Sequence, residues 1–567
     1  MKKGKKALKT NDLEKYGVQL SVIGVATYRN GKPGSYLIVE FIDIDEQLTK
    51  IMIPSNCVTE IRAIKKVLLD NRFPYDIPKE AWEAIRKELI QKTSGRMLLV
   101  ESSGFYNDIY LRSDNKIIGN LSDDGCRPIL DPNIKISLLP VESKGTLKEW
   151  RLNIANAALH SSRIMLSLSA TFSAYILYIA GIENGGFNFF GISSTGKSTC
   201  LQISVSVRSS PAGIESWSVT ETGAEELAVA HNDKTLVLDE LGNLHTDPLK
   251  AAQKAGKLVY ALTFGKEKRR SAYYSSGRFT WRIVYLSSGE KSLTESAIDA
   301  GVKRMLGEEV RLIDVPSDAG LAHGIYESIP QGFTASQYAD HLKDNCAQYY
   351  GVAERVFLKK LTAEMSSDLE SLRQQINSAI KEFLEYHSVD HANGSEMRLA
   401  KRFALAYAGG QLAAKYGVLP FDDDTVIAGV SACYRDTIAR RPQTHSDLIE
   451  EATNALLNEL KETTNFLDVS HVEHGKTAED IKSASGFIAT YKGNKVRAML
   501  PATLDELISA CKIRKAVLKT LKEAGRLQLD ANGRSTIQLR SHLKSPKVLP
   551  RCYCFLPKSS VGDKPIS

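Results

Sequence analysis

The segment Gly191-Ile192-Ser193-Ser194-Thr195-Gly196-Lys197-Ser198-Thr199 carries the clearest chemistry in this chain. Two glycines with four residues between them, then lysine and serine, have the spacing of a loop that cradles phosphates. Glycine permits turns and a close backbone approach that a side chain would block. Phe187–Phe190 reads as a strand and Ser198–Val205 as a helix, so backbone N–H groups and a helix N-terminus face the anion. On this reading Gly191, Ser194, Thr195, Gly196 and Thr199 hold ATP, Lys197 reaches the β- and γ-phosphates, and the Ser198 hydroxyl holds Mg2+.

A second element is the apolar run Thr235–Leu238 ending in Asp239 and Glu240. Asp239 would position the metal through its water shell, and Glu240 would polarise the attacking water. A strand ending in a solvated acidic loop is the plain alternative. Placement one helix–strand unit after the phosphate loop favours the catalytic reading. The adjacent glutamate favours ATP hydrolysis over a GTP switch, and no Asn-Lys-x-Asp guanine signature occurs.

Further groups could complete or extend such a site. Ser287 or Ser288, at the tip of the run Arg282–Leu286, would contact the γ-phosphate or the water; an ordinary strand-end turn is the alternative. Arg311 opens the apolar run before Asp314, where a buried strand rarely wants an arginine. It could reach a neighbouring subunit's nucleotide, with Arg304 as its rival and a local salt bridge to Asp314 or Glu308 as the bland reading. Arg398 and Arg402 share a helix face, from which one could reach a γ-phosphate or merely make surface pairs. Finally, Lys266, Lys268, Arg269 and Arg270, followed by Tyr273 and Tyr274, suit a nucleic-acid backbone with some stacking, or form a solvated turn. Lys515 and Lys519, on a helix with Arg514 and Lys522, are likewise consistent with phosphate contacts.

These residues need a scaffold, and 567 residues allow three or four domains. With 43% hydrophobic and 25% charged residues, the chain is not disordered, collagenous or a disulfide scaffold. A formal charge of +8 is compatible with a nucleic-acid partner without arguing one. Eight cysteines include no Cys-x-x-Cys pair, so reduced cytosolic thiols are the expectation. The pairs His387/His391 and His471/His474 read as surface histidines, and Trp150, Trp217 and Trp281 as core. Ile164–Ile182 is uncharged and long enough to span a bilayer, but its serines and the nucleotide strand that follows point to a buried helix.

The expected organisation is a basic tail at 1–19, an α+β accessory domain at 20–145, and an α/β core at 146–330. A helical section at 331–440 follows, and then a C-terminal domain at 445–567. In that last part, Leu527–Asp530 and Thr536–Arg540 would form a hairpin around Ala531-Asn532-Gly533, giving a winged helix-turn-helix.

The order of these elements resembles the AAA+ P-loop ATPases. More closely, it resembles a bacterial family related to the minichromosome-maintenance-like, self-loading replicative helicases of mobile genetic elements. The motifs that carry this are Gly191–Thr199, Trp217 to Thr222, His231-Asn232-Asp233, Leu236–Gly242, Trp281–Glu290 and Val310–Pro316. Arg402-Phe403-Ala404-Leu405 and Ala408 to Ala413 match as well; Phe105 stands where tryptophan is expected. The resemblance implies an AAA+ core with a helical lid, acting as a cytoplasmic, hexameric, ATP- and Mg2+-dependent motor on single-stranded or forked DNA. A primase or polymerase would be encoded nearby, and no membrane is involved. The competing readings are an AAA+ nucleic-acid sensor or protein remodeller, as in phage defence, and an ATP-controlled DNA-binding regulator.

Overall fold

The computed structural model describes residues 13–28, 34–91, 95–121, 126–131, 139–268, 279–302, 304, 306–389, 394–440, 445–461, 466–470, 484, 486–508, 514–540 and 548–556. It is a mixed α/β structure that divides into two compact units, Met1–Ala439 and Arg440–Ser567.

The first unit begins with a meander of β1 (Leu20–Thr27), β2 (Ser35–Ile42) and β3 (Leu48–Pro54). Asn30 and Gly31, between the first two, have the residue types of a tight turn and lie outside the described residues. Helices α1 (Ile61–Asp70) and α2 (Lys79–Ile90) follow. Their apolar stripes, Ile64 and Leu68 on one and Trp82, Ile85 and Leu89 on the other, pack on Val39, Phe41 and Ile53 of the sheet. The chain adds β4 (Arg96–Val100), a small sheet of β5 (Gly104–Tyr106), β6 (Ile109–Leu111) and β7 (Ile117–Ile118), and β8 (Arg127–Leu130). The main sheet has the order β3-β2-β1-β4-β8.

After α3 (Leu147–Asn153) and α4 (Ser162–Ala180) comes a parallel sheet. Its strands and helices alternate: β9 (Gly185–Phe190), α5 (Lys197–Ser206), β10 (Glu215–Ser216), α6 (Glu221–Ala230), β11 (Lys234–Asp239), α7 (Pro248–Phe264), β12 (Ile283–Gly289), α8 (Leu293–Asp299), α9 (Leu306–Glu309) and β13 (Leu312–Pro316). The order β10-β11-β12-β9-β13 is parallel throughout. Helices on both faces bury β9, β11, β12 and β13 almost completely, which explains their near-continuous apolar runs. Because all strands run the same way, the loops after β9, β11, β12 and β13 gather along one edge.

Four helices complete the unit: α10 (Ala335–Gln348), α11 (Val352–Tyr386), α12 (Gly394–Lys415) and α13 (Asp423–Arg440). The long α11 is interrupted at Asp368, whose φ of −157° and ψ of 89° are not helical. By length and composition α4 could cross a membrane, yet 89% of its apolar window is buried within this unit. It packs along α12, where small residues let the backbones approach. A Cβ on Gly409 would come within 2.4 Å of the Ser173 amide nitrogen.

The second unit contains α14 (His445–Glu459), helices Pro501–Leu507 and Arg514–Glu523, and a six-stranded sheet. Leu456, Leu504, Val517, Leu521 and Phe555 lie in its core. The expected terminal hairpin is not formed as such. Leu527–Gln528 and Thr536–Arg540 both pair with Val548–Phe555 rather than with each other. The turn at Ala531–Gly533 is present, closed by the Gly533 N–H on the Asp530 carbonyl (3.2 Å). A third apolar strand takes the hydrogen bonds that a two-strand wing would have used.

Candidate functional site

The phosphate loop joins β9 to α5 and holds three positive φ angles: 152° at Gly191, 64° at Ser194 and 97° at Gly196. Gly196 is irreplaceable on two counts, since a Cβ there would also meet the Ile325 side chain at 2.8 Å. α5 starts at Lys197, which places its N-terminus at the loop. The Lys197 ammonium donates to the carbonyls of Gly191 and Ile192, each at 2.7 Å. Burial lowers its pKa, opposed by the nearby Glu290 and Asp239 carboxylates.

Asp239 ends β11 and accepts hydrogen bonds from the Ser288 hydroxyl and from the Glu240 N–H, the latter at 3.0 Å. Glu240 adopts a φ of 63°, a conformation uncommon for a residue with a side chain and a recurrent feature of functional sites. Loop, Lys197, Ser198, Asp239, Glu240, Ser288 and Glu290 line one cleft of about 850 Å³. The Ser198 hydroxyl and the Asp239 carboxylate form an all-oxygen donor set, which suits Mg2+ completed by phosphate and water. Among the described residues no cluster of three His, Cys, Asp or Glu could hold a metal by itself.

Side-chain alternation along β12 separates the two serines. Ser288 faces Asp239, whereas Ser287 is fully buried and accepts from Trp217 Nε1 at 2.9 Å. Ser287 therefore belongs to the core, contrary to expectation. Arg402 is displaced more decisively. It is buried, and its guanidinium donates to the carbonyls of Glu183 (2.7 Å) and Asn184 (2.9 Å), just before β9. That is the end of the sheet opposite the phosphate loop, so Arg402 cannot reach a γ-phosphate bound in this cleft; Arg398 is exposed.

Arg304 is paired with Asp314 at 2.6 Å and donates to the Leu312 carbonyl at 2.7 Å, and so serves local structure. Arg311, half-buried before β13, lies over the Tyr260 ring at 4.7 Å and donates to the Gly307 carbonyl. It too sits at the end of the sheet away from its own chain's cleft. Lys266 forms a bridge with Thr280 at the base of the basic loop, and exposed Lys268 pairs with Glu221 at 2.5 Å. Arg269, Arg270, Tyr273 and Tyr274 lie outside the described residues. Lys515 and Lys519 are exposed on their helix in the second unit.

The sequence reading missed the far wall of the cleft, formed by Asp318, Ala322, His323, Gly324 and Tyr326 after β13 and by Ala335, Ser336, Ala339 and Asp340 on α10. Once β13 is known to neighbour β9, the segment after it must fall beside the phosphate loop. The motif His231-Asn232-Asp233 also gains a role. Fully buried Asp233 accepts from Arg282 Nε (2.5 Å) and Nη2 (2.7 Å) and from the Phe105 N–H (2.9 Å). Lys234 beside it, pushed down to about 8 by burial, donates to the Ser103 hydroxyl at 2.7 Å. The small β5–β7 sheet is thus anchored to the start of the strand that carries Asp239.

A domain family described as a domain of unknown function, DUF927, matches residues 2–278, just under half of the chain. No match arises among curated proteins. Among solved structures, one described as "SCCmec type IV Cch - active helicase" is similar over 90% of this chain and 90% of that one, with TM-score 0.55 and 17% identity. The fold is shared. The apo A form of the NrS-1 C-terminal region is more distant, at TM-score 0.24 and 11% identity over 71% of this chain and 89% of that one.

Proposed function

We propose that this protein is an AAA+ ATPase acting as a DNA helicase or translocase of a mobile genetic element, with Mg2+ as its metal. The observation that supports this most is the strand order. β12 lies between the strand that carries the phosphate loop and the strand that ends in Asp239 and Glu240. The tip of that intervening strand supplies Ser288 between the two motifs. α10–α13 correspond to the lid on this reading, and the second unit to a winged-helix-like module. The helicase-like fold of the compared structure agrees with it.

The reaction uses this chain's groups in distinct roles. The loop N–H groups and Lys197 hold the triphosphate and offset charge on the γ-phosphoryl. Ser198 and Asp239 would hold Mg2+, which when bound offsets charge on the β- and γ-phosphates. Glu240 accepts a proton from water as the water oxygen bonds to the γ-phosphorus and the bond from that phosphorus to the bridging oxygen breaks, ADP leaving with the electron pair. Ser288 fixes Asp239.

DNA contacts are assigned to the basic loop and to the C-terminal helix. Changing Lys266, Lys268, Arg269 and Arg270 together to alanine should leave basal ATP turnover within about twofold and abolish its stimulation by single-stranded DNA. Binding through these phosphate contacts should fall with salt, with a slope of roughly −0.7 per neutralised phosphate. Lys515 and Lys519 changed to alanine should weaken initial DNA binding more than turnover on preloaded DNA. Full DNA stimulation in the loop variant would reduce those charges to a solvated turn.

A further inference from the structure

Arg163, at the second position of α4, is 1% exposed, and its planar guanidinium serves acceptors from separate parts of the first unit. Nε donates to the Pro316 carbonyl at 3.0 Å, and Nη2 donates to the Asp318 carbonyl at 2.9 Å. Nη1 donates to Glu327 Oε1 at 3.2 Å, and Nη2 also meets Asp436 Oδ2 of α13 at 2.5 Å. Glu327 is held in addition by the Ser162 N–H at 2.9 Å. One buried cation therefore pins both ends of the strap 316–327, the stretch that forms much of the far wall of the cleft.

Between its pinned ends the strap shapes the phosphate loop. The Ser317 and Thr195 hydroxyls are hydrogen-bonded at 2.9 Å, and the Ile325 N–H donates to the Thr195 carbonyl at 2.9 Å. Gly324 lies so close that a Cβ there would come within 2.4 Å of that same carbonyl oxygen. The Ser317 N–H donates to the Phe190 carbonyl at 2.8 Å, which ties the strap to the strand feeding the loop. A non-glycine residue at positive φ, such as Ser194, persists where its surroundings over-determine the backbone. The strap supplies those surroundings.

We propose that Arg163 is a positioning residue for the phosphate loop. Acting through the strap, it sets the loop's cradle before nucleotide arrives, so its contribution falls on affinity rather than on the chemical step. This rests on the reading of the cleft as an ATP site. Lysine cannot take its place, because three donors on one nitrogen do not match acceptors spread around a planar fork. Ser317 is the side-chain contact, beside the Ile325 N–H, through which the effect reaches the loop.

The test compares Arg163→Lys and Ser317→Ala with wild type in the full chain, by amide hydrogen exchange across 191–198 without nucleotide, ATP titration, and steady-state kinetics. Arg163→Lys should speed loop exchange and raise both Kd and KM for ATP about tenfold, with kcat within about twofold, because preorganisation is what is lost. Ser317→Ala leaves the buried cation untouched; it should show the same pattern to a smaller degree at wild-type Tm. An Arg163→Lys protein with a lowered Tm but wild-type loop exchange and Kd would overturn the proposal. If that variant does not fold, wild-type exchange and Kd in Ser317→Ala would overturn it instead. Should wild type bind no ATP, the reading of the cleft falls, while loop exchange still decides whether Arg163 orders the loop.

Discussion

Glu240→Gln is expected to bind ATP with near wild-type affinity and to hydrolyse it about 10²–10⁴-fold more slowly, the range general-base catalysis supplies. Glutamine keeps the size of the side chain but cannot accept the proton that water must lose. The backbone N–H of residue 240 still donates to Asp239, so the metal-side geometry survives the change. Lys197→Ala should fail differently. It removes a cation that lies in the cleft against the loop carbonyls, and with it both triphosphate affinity and charge offset at the γ-phosphoryl. Equilibrium binding of a fluorescent ATP analogue, measured beside phosphate release, separates the two. Wild-type turnover in Glu240→Gln would show that the β11 carboxylates are not catalytic.

The second large effect concerns Arg311. In its own chain it lies at the start of β13, whereas the phosphate loop follows the end of β9, so it has no access to its own cleft. The guanidinium over Tyr260 is held by the Gly307 carbonyl and by no described carboxylate within salt-bridge distance. Arg304, its rival, is committed to Asp314. If Arg311 acts on a neighbouring copy's nucleotide, Arg311→Ala should retain ATP binding and lose turnover by roughly 10³-fold or more. Mixing it with Lys197→Ala protein should restore part of the activity, because some interfaces then combine an intact cleft with an intact arginine. Near-normal turnover by Arg311→Ala alone would dissolve the role.

Much of the candidate site was legible because its residue types are chemically constrained. Gly191, Gly196, Lys197 and Ser198 stand at a constrained spacing between a strand and a helix, whereas the apolar strand ending in Asp239-Glu240 is informative only through its place one helix–strand unit later. What failed was direction. Arg402 shares a helical face with Arg398, but helical periodicity does not say which end of a parallel sheet that face will meet. Ser287 and Ser288 are inseparable if β12 ends at Leu286. Its extension to Gly289 puts them on opposite faces. The terminal hairpin was misread because a turn signal shows where a chain reverses, not which strand the two arms will pair with; Val548–Phe555 took both. The strap 316–327 was invisible because it is defined by spatial partners, chiefly Arg163 and Thr195, far from it in sequence.

Strand displacement on forked DNA, with substrates bearing either tail polarity and with Glu240→Gln as the paired control, is the decisive measurement of helicase activity. Wild type is expected to displace strands on forked substrates in an ATP-dependent way, and Glu240→Gln to displace none despite retained ATP and DNA binding. Brisk ATP turnover that DNA does not stimulate, with no displacement on any fork, would contradict the helicase assignment and favour an ATPase that senses nucleic acid or remodels protein.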